Sequence, residues 1–142
     1  MERGMSLIHE LLATPRDLPA VSKYTAMNGM IYLTAGALLI AWPGATQALF
    51  RDRAFVGDEQ GLVRGMGLLI IVIGWLYLFG GRSGARQIVA ASVIDRLVFI
   101  PAVLLPLAAA GVFPHLLVTF GLLDPALAIG AWILFSRKTP SP

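Results

Sequence analysis

The chain has 142 residues, of which 57% are hydrophobic and 13% are charged, and its mean hydropathy is +0.77. Charged residues make up about 25% of typical soluble domains, so this composition indicates an integral membrane protein. The sequence has no cysteine, which excludes disulfides and thiolate metal sites, and its formal charge of +3 is too small to indicate a nucleic-acid partner.

Residues 1–23 form a polar N-terminal segment that lacks the apolar core of a secretory signal peptide. Within residues 5–13, four apolar side chains recur at helical spacing: Leu7, Ile8, Leu11 and Leu12. This pattern predicts a short amphipathic helix, which would lie on the membrane surface or pack against a neighbouring subunit.

Residues 24–138 contain four apolar runs, each close to the ~20 residues that cross the hydrocarbon of a bilayer. The runs cover residues 24–42, 61–80, 87–110 and 115–135. We therefore predict an all-α integral membrane four-helix bundle, preceded by the amphipathic segment and without a soluble domain.

Basic residues outside the runs predict the orientation of the bundle. Seven would lie on one side of the membrane: Arg3, Arg16, Lys23, Arg82, Arg86, Arg137 and Lys138. Only Arg51 and Arg53 would lie on the other side, so both termini are predicted to be cytoplasmic. Aromatic residues near the run ends, Tyr77 among them, fit an interfacial belt. The longer outer connector, residues 43–60, is interpreted as a solvated loop, with a ligand gate as the alternative.

The third run carries Asp95 and Arg96 near its middle, where an ionised group costs about 2.5–3.5 kcal/mol on insertion scales. At 1.5 Å per residue, both lie roughly 5–6 Å to the cytoplasmic side of the midplane. Asp124 in the fourth run falls close to the midplane, which predicts an Arg96–Asp124 pair. Asp95 has no evident partner. Arg64, near the outer end of the second run, would either snorkel to the surface or cap a cavity above Asp124.

The polar intramembrane cluster of Arg64, Asp95, Arg96 and Asp124 has two interpretations. It is either an interhelical contact that fixes helix register or the lining of a pocket for a ligand or a proton. Pro125 frees the carbonyl of Gly121 and predicts a kink beside Asp124, a feature that either borders a cavity or serves packing alone. Glycines within the runs predict close helix contacts.

Several chemistries have no support in the sequence. His9 and His115 lie outside the membrane core and cannot form a pair that ligates haem or a structural zinc. No catalytic triad, phosphate-binding loop or calcium-binding pattern is present. We therefore predict no catalytic residue, no metal and no cofactor.

A set of short motifs resembles the BphX-like family of small bacterial four-helix membrane proteins, which is related to the DoxX-like group. The likeness covers about Met27 to Ser136 and rests on residues 64–67 (RGMG), 74–77 (GWLY) and 124–128 (DPALA), together with Arg96, Gly111 and Pro114. The resemblance implies a bacterial inner-membrane protein, with Arg64, Arg96 and Asp124 at family-like positions. Some DoxX-like proteins are membrane subunits of oxidoreductases that pass electrons to quinone, although this chain lacks redox ligands of its own.

The hypothesis that follows is a non-enzymatic protein of the inner membrane. It would be an accessory subunit of a membrane complex, or a binder of a lipophilic small molecule such as a quinone, in contact with membrane lipid. The alternative is a small proton-coupled carrier that acts as a homo-oligomer and titrates Asp124. A third possibility is an enzyme that acts on lipid and uses Asp95 or Asp124 as a base.

Overall fold

The computed structural model describes residues 7–137. Four helical rods in it are long and apolar enough to cross a membrane: α2 (Ala20–Ala41), α4 (Glu59–Arg82), a rod from Arg86 to Ala109, and α7 (Pro114–Ser136). The third rod consists of α5 (Arg86–Ile94), a π-helical segment (Asp95–Phe99) and α6 (Ile100–Ala109). Two short helices, α1 (Leu7–Leu12) and α3 (Ala45–Ala48), complete the part of the chain that is described. The prediction of an all-α four-helix membrane bundle is confirmed.

The N-terminal amphipathic helix is present as α1, and its apolar side chains are exposed, with Leu7 at 85%. Arg82, at the end of α4, contacts the end of α1 and the segment after it by donating to the carbonyl of Leu12 at 3.5 Å and to the hydroxyl of Thr14 at 3.2 Å. The first residues of the predicted helix, and Arg3 and Lys138 of the charge count, lie outside the described residues.

Apolar side chains face outward in the bundle and polar side chains face inward, as expected of a protein surrounded by lipid. Large apolar side chains point outward, among them Leu62, Leu69 and Leu76, which are 70%, 65% and 58% exposed. Small and polar side chains lie inside, where Asn28 and Arg96 are 0% and 1% exposed. An apolar surface with a polar interior is stable when the solvent is hydrocarbon, because outward-facing apolar groups then cost nothing and the polar groups are kept away from the lipid.

A glycine seam brings α2 and α4 closer together than any other two helices. It comprises Gly29 and Gly36 on α2 and Gly67, Gly74 and Gly81 on α4, spaced seven residues apart on each helix. A Cβ atom at Gly36 would lie 2.5 Å from the carbonyl oxygen of Gly67, so the two backbones touch. The close contacts predicted at Gly29, Gly36, Gly67 and Gly74 are therefore confirmed, and Gly81, which was expected only to end the second run, adds a further contact. These contacts fix the register of the two helices.

Two apolar clusters fill the ends of the bundle. One lies near the outer connector and contains Leu39, Val63, Ala108, Phe113, Leu116 and Leu117. The other contains Val21, Val89, Val93 and Ala131 and lies near the end that carries Lys23, Arg82, Arg86 and Arg137, which we call the basic end. The buried polar residues Asn28, Arg96 and Asp124 lie in the layer between these clusters, whereas buried Thr46 and Asp52 belong to the connector.

The outer connector, interpreted as a solvated loop, folds down onto the bundle instead. Asp52 is 6% exposed and accepts hydrogen bonds from the backbone N–H groups of His115 and Leu116, both at 3.0 Å. These N–H groups belong to the first turn of α7 and have no partner within the helix, so Asp52 caps it. Arg53 donates to Glu59 at 2.5 and 2.7 Å, and this hydrogen bond raises the pKa of Arg53 above its ordinary value. The solvated-loop interpretation is wrong at Asp52, whereas residues 56–58 of the connector are exposed as that interpretation requires.

Candidate polar site within the bundle

Two tyrosine–aspartate hydrogen bonds form the centre of the polar layer. Tyr32 of α2 donates to the Oδ1 atom of Asp124 on α7, and both residues are buried. Tyr77 of α4 donates to the Oδ2 atom of Asp95 at 2.9 Å. Each predicted carboxyl therefore has a neutral hydroxyl donor, including Asp95, for which the sequence suggested no partner.

The two pairs meet through their aromatic rings. The ring centroids of Tyr32 and Tyr77 lie 5.5 Å apart at an interplanar angle of 89°, an edge-to-face contact. The glycine seam makes this contact possible, because only closely packed α2 and α4 backbones bring two interior tyrosines together. The pairs thus form one continuous network across α2, α4, α7 and the π-helical segment.

Arg96 lies against this network without joining an aspartate. Its guanidinium carbon is 5.0 Å from the centre of the Tyr77 ring, a cation–π geometry. Its Nε atom donates to the carbonyl of Ser92 at 2.9 Å and its Nη2 atom to the hydroxyl of Ser92 at 3.2 Å. The Nη1 atom is buried and has no hydrogen-bond partner in the described structure.

The predicted Arg96–Asp124 ion pair is wrong, since no salt bridge joins these two described residues. Helical side chains point back toward the N-terminus of their helix, and for Arg96 that direction leads to Ser92, one turn earlier. An ion pair with Asp124 would require the Arg96 side chain to extend the other way, toward the midplane.

The third rod contains a π-helical segment, which begins at Asp95 and includes Arg96. Pro101 has no N–H group and cannot donate to the carbonyl of Leu97, so the regular ladder breaks there. The N–H of Ile100 reaches back five residues to the carbonyl of Asp95, which closes a π turn. Such widened turns are frequent at functional sites. This one places Asp95 toward α4 while Arg96 points into the bundle.

Arg64 does not belong to the cluster. It is exposed on the surface of α4, one residue after the buried Val63, and forms no hydrogen bond or ion pair with the described residues. An exposed arginine near a helix end can extend along the helix to the membrane interface, which was one of the two predicted positions.

The sequence reasoning missed several residues of the site, of which the tyrosines are the most important. Tyr77 is 7% exposed and lies inside the bundle, so its assignment to an interfacial belt is wrong. Asn28, one helical turn before Tyr32, is fully buried and neither of its amide atoms has a partner in the described structure. The signal in the sequence was spacing: Asn28 and Tyr32 lie one turn apart, on the face of α2 that carries the seam glycines.

A groove opens from the polar layer toward the surface between α4 and α5. It has a volume of about 480 Å³, and Asp95, Tyr77 and Ser92 line it beside apolar side chains from both helices. Leu11 of α1 also lines it. We call this cavity the Asp95 groove. Its walls are apolar apart from the side chains near Asp95, an arrangement typical of pockets for lipophilic ligands.

The residues of this layer are not arranged to hold a metal ion. Within residues 7–137, no group of three or more histidine, aspartate or glutamate side chains is placed to ligate one. Chemically, the site offers hydrogen bonds to and from carboxyls and hydroxyls next to a fixed positive charge.

Comparisons of the chain with models of protein families, with curated proteins and with solved structures give no match. The likeness to BphX-like proteins therefore stays a prediction from the motifs.

Proposed function

We propose that the chain is a non-enzymatic membrane protein that binds a lipophilic small molecule in the Asp95 groove, alone or as an accessory subunit of a membrane complex. The observation that carries this proposal is a carboxylate at the polar end of an otherwise apolar groove of about 480 Å³. Intramembrane carboxyls are costly, and by default they are candidates for functional sites.

The hydrogen bonds around Asp95 specify the ligand that fits. The Tyr77 hydroxyl already donates to one oxygen of Asp95, so the carboxyl can accept from a ligand but the tyrosine proton is engaged. A lipophilic molecule with a hydroxyl or an amine, such as a quinol, matches this arrangement. A quinone, whose carbonyls only accept, would have to displace the Tyr77 bond.

The resemblance to BphX-like proteins and the excess of basic residues at one end support a bacterial inner-membrane location with both termini in the cytoplasm. The basic end would then face the cytoplasm, and the Asp95 groove would open toward the cytoplasmic half of the bilayer.

Native mass spectrometry of protein extracted from native membranes tests the proposal. The wild type should retain a small molecule, and Asp95→Asn should lose it. The matched control is Asp58→Asn, an exposed acid in the outer connector, which should retain it. Ala91→Phe, which places a ring in the groove, should also abolish retention while keeping Asp95. A wild type that retains nothing and purifies without a partner protein would refute the proposal.

A proton-coupled carrier is the second candidate, and the burial of Asp124 in the middle of α7 favours it. In proteoliposomes with an internal pH dye, the wild type would then dissipate a proton gradient and Asp124→Asn would not. A gradient as stable as in protein-free liposomes would remove this candidate. It would leave the binding proposal standing.

A further inference from the structure

A second groove lies on the lipid-facing surface between α5 and α7, away from the Asp95 groove. It has a volume of about 280 Å³ and is lined entirely by apolar side chains, namely Ala90, Val93, Ile94, Leu97, Trp132 and Phe135. Its lining extends from the middle of α5, at Ala90, to Leu97 in the π-helical segment. The groove therefore runs along the direction of a lipid acyl chain, with the shape and polarity of a slot for one chain.

A positive charge is fixed at the entrance of this groove. The guanidinium carbon of Arg86 lies 4.3 Å from the centre of the Phe135 ring, and Phe135 is itself part of the lining. This cation–π contact holds an exposed arginine over the end of an apolar slot. Arg137 follows the end of α7 and, with Trp132, lines the adjacent cavity.

The N-terminus of α5 adds positive electrostatic potential at the same end of the groove. Arg86 is the first residue of α5, no side chain caps that helix, and its first turn contains no acidic residue. The first N–H groups of a helix have no partner within it and carry the positive end of the helix dipole. Arg86 and the N-terminus of α5 thus place positive charge at the entrance of the groove, and Arg137 lies at the adjacent cavity.

We propose that this site binds one anionic phospholipid, with an acyl chain between α5 and α7 and its phosphate at Arg86. The charge at the entrance selects the headgroup. A zwitterionic lipid also has a phosphate, but it brings a quaternary ammonium to a region with two guanidinium groups. A lipid such as phosphatidylglycerol, which has no cation, is favoured because each basic group near the membrane surface is worth about 1 kcal/mol toward anionic lipid.

Native mass spectrometry of the purified, delipidated protein tests this with an equimolar mixture of phosphatidylglycerol and phosphatidylcholine. The wild type should retain phosphatidylglycerol preferentially, and Arg86→Gln should reduce that preference about fivefold, the equivalent of one surface charge. Arg137→Gln should act in the same direction. The control is Arg64→Gln, which removes another exposed arginine from the opposite half of the bundle and should leave the preference unchanged.

A second variant tests the contact with the acyl chain separately from the contact with the headgroup. Ile94→Trp fills the groove from its exposed wall and should lower retention of both lipids without altering their ratio. Equal retention of the two lipids by the wild type would overturn the proposal. A preference that Arg64→Gln reduces as much as Arg86→Gln would also overturn it, because the effect would then be one of net charge. Thermal unfolding of each variant in detergent confirms that it is folded.

Discussion

Substitution of a single seam glycine by alanine should separate α2 from α4. A Cβ atom at Gly74 would lie 2.7 Å from the backbone nitrogen of Leu33 and 2.8 Å from the carbonyl oxygen of Gly29, whereas ordinary contact begins at 3.4 Å. Both neighbours are backbone atoms, which cannot move aside by changing rotamer. The helices must therefore separate, and overpacking of this kind typically costs about 1–3 kcal/mol.

The same helix supplies a matched control. A Cβ atom at Gly65 would meet no atom within 4 Å, so Gly65→Ala adds a methyl group without a clash. Alanine is the better helix former by up to about 1 kcal/mol, so this variant should be neutral or slightly more stable. Unfolding of both variants in mixed micelles, with increasing SDS and far-UV circular dichroism as the signal, gives the two free energies of unfolding. Equal values for Gly74→Ala and Gly65→Ala would refute the seam as the determinant of helix packing.

A double-mutant cycle extends this prediction to the polar network. If separation of α2 and α4 also disrupts the contacts of Tyr32, then Gly74→Ala and Tyr32→Phe should not be additive. The effect of the tyrosine substitution should be smaller in the alanine background, with a coupling of about 0.5–3 kcal/mol. Strict additivity would mean that the network tolerates a shift of the helices.

Three further predictions concern hydrogen bonds to carboxylates. Tyr32→Phe leaves buried Asp124 without its donor and should lower the free energy of unfolding by about 1–3 kcal/mol, measured in the same SDS titration. Tyr77→Phe should cost less, because Asp95 is only partly buried and can find another partner; a larger loss than for Tyr32→Phe would contradict this ranking. Asp52→Ala removes the cap of α7 and should cost about 0.5–2 kcal/mol, whereas Asp58→Ala, which removes an exposed acid without side-chain capping, should change little.

Helix number and approximate ends followed from the sequence because they depend on apolar length alone. The first run was predicted from Tyr24 and the helix begins at Ala20, since regular hydrogen bonding continues beyond the hydrocarbon into the interface. Close packing at the glycines was also predictable, because a residue without a side chain within a spanning helix has few other uses.

The partners of the polar residues were not predictable in the same way. Depth along the membrane normal placed Arg96 and Asp124 within reach, but depth says nothing about rotamer direction or about the register that a π turn introduces. The prediction for Tyr77 was wrong because its position near a helix end matches the interfacial belt. Its burial depends on the packing of α2 against α4 at the glycine seam, which the position along the helix does not show. Asp52 looked like an ordinary loop acid, because its role as a cap exists only once the connector folds onto α7.

The choice of tyrosine as the partner of both carboxyls has a physical basis. A buried ion pair must compensate for the lost hydration of two charges, whereas a tyrosine brings a largely apolar ring and a single hydroxyl. Asp95 lines the groove and buried Asp124 does not, so the Tyr77–Tyr32 contact lies between a carboxyl at the groove and one inside the bundle. The cation of Arg96 rests on the same Tyr77 ring. Under the binding proposal, a ligand that draws Asp95 away from Tyr77 changes the environment of Arg96 and of Tyr32, because both contact the Tyr77 ring.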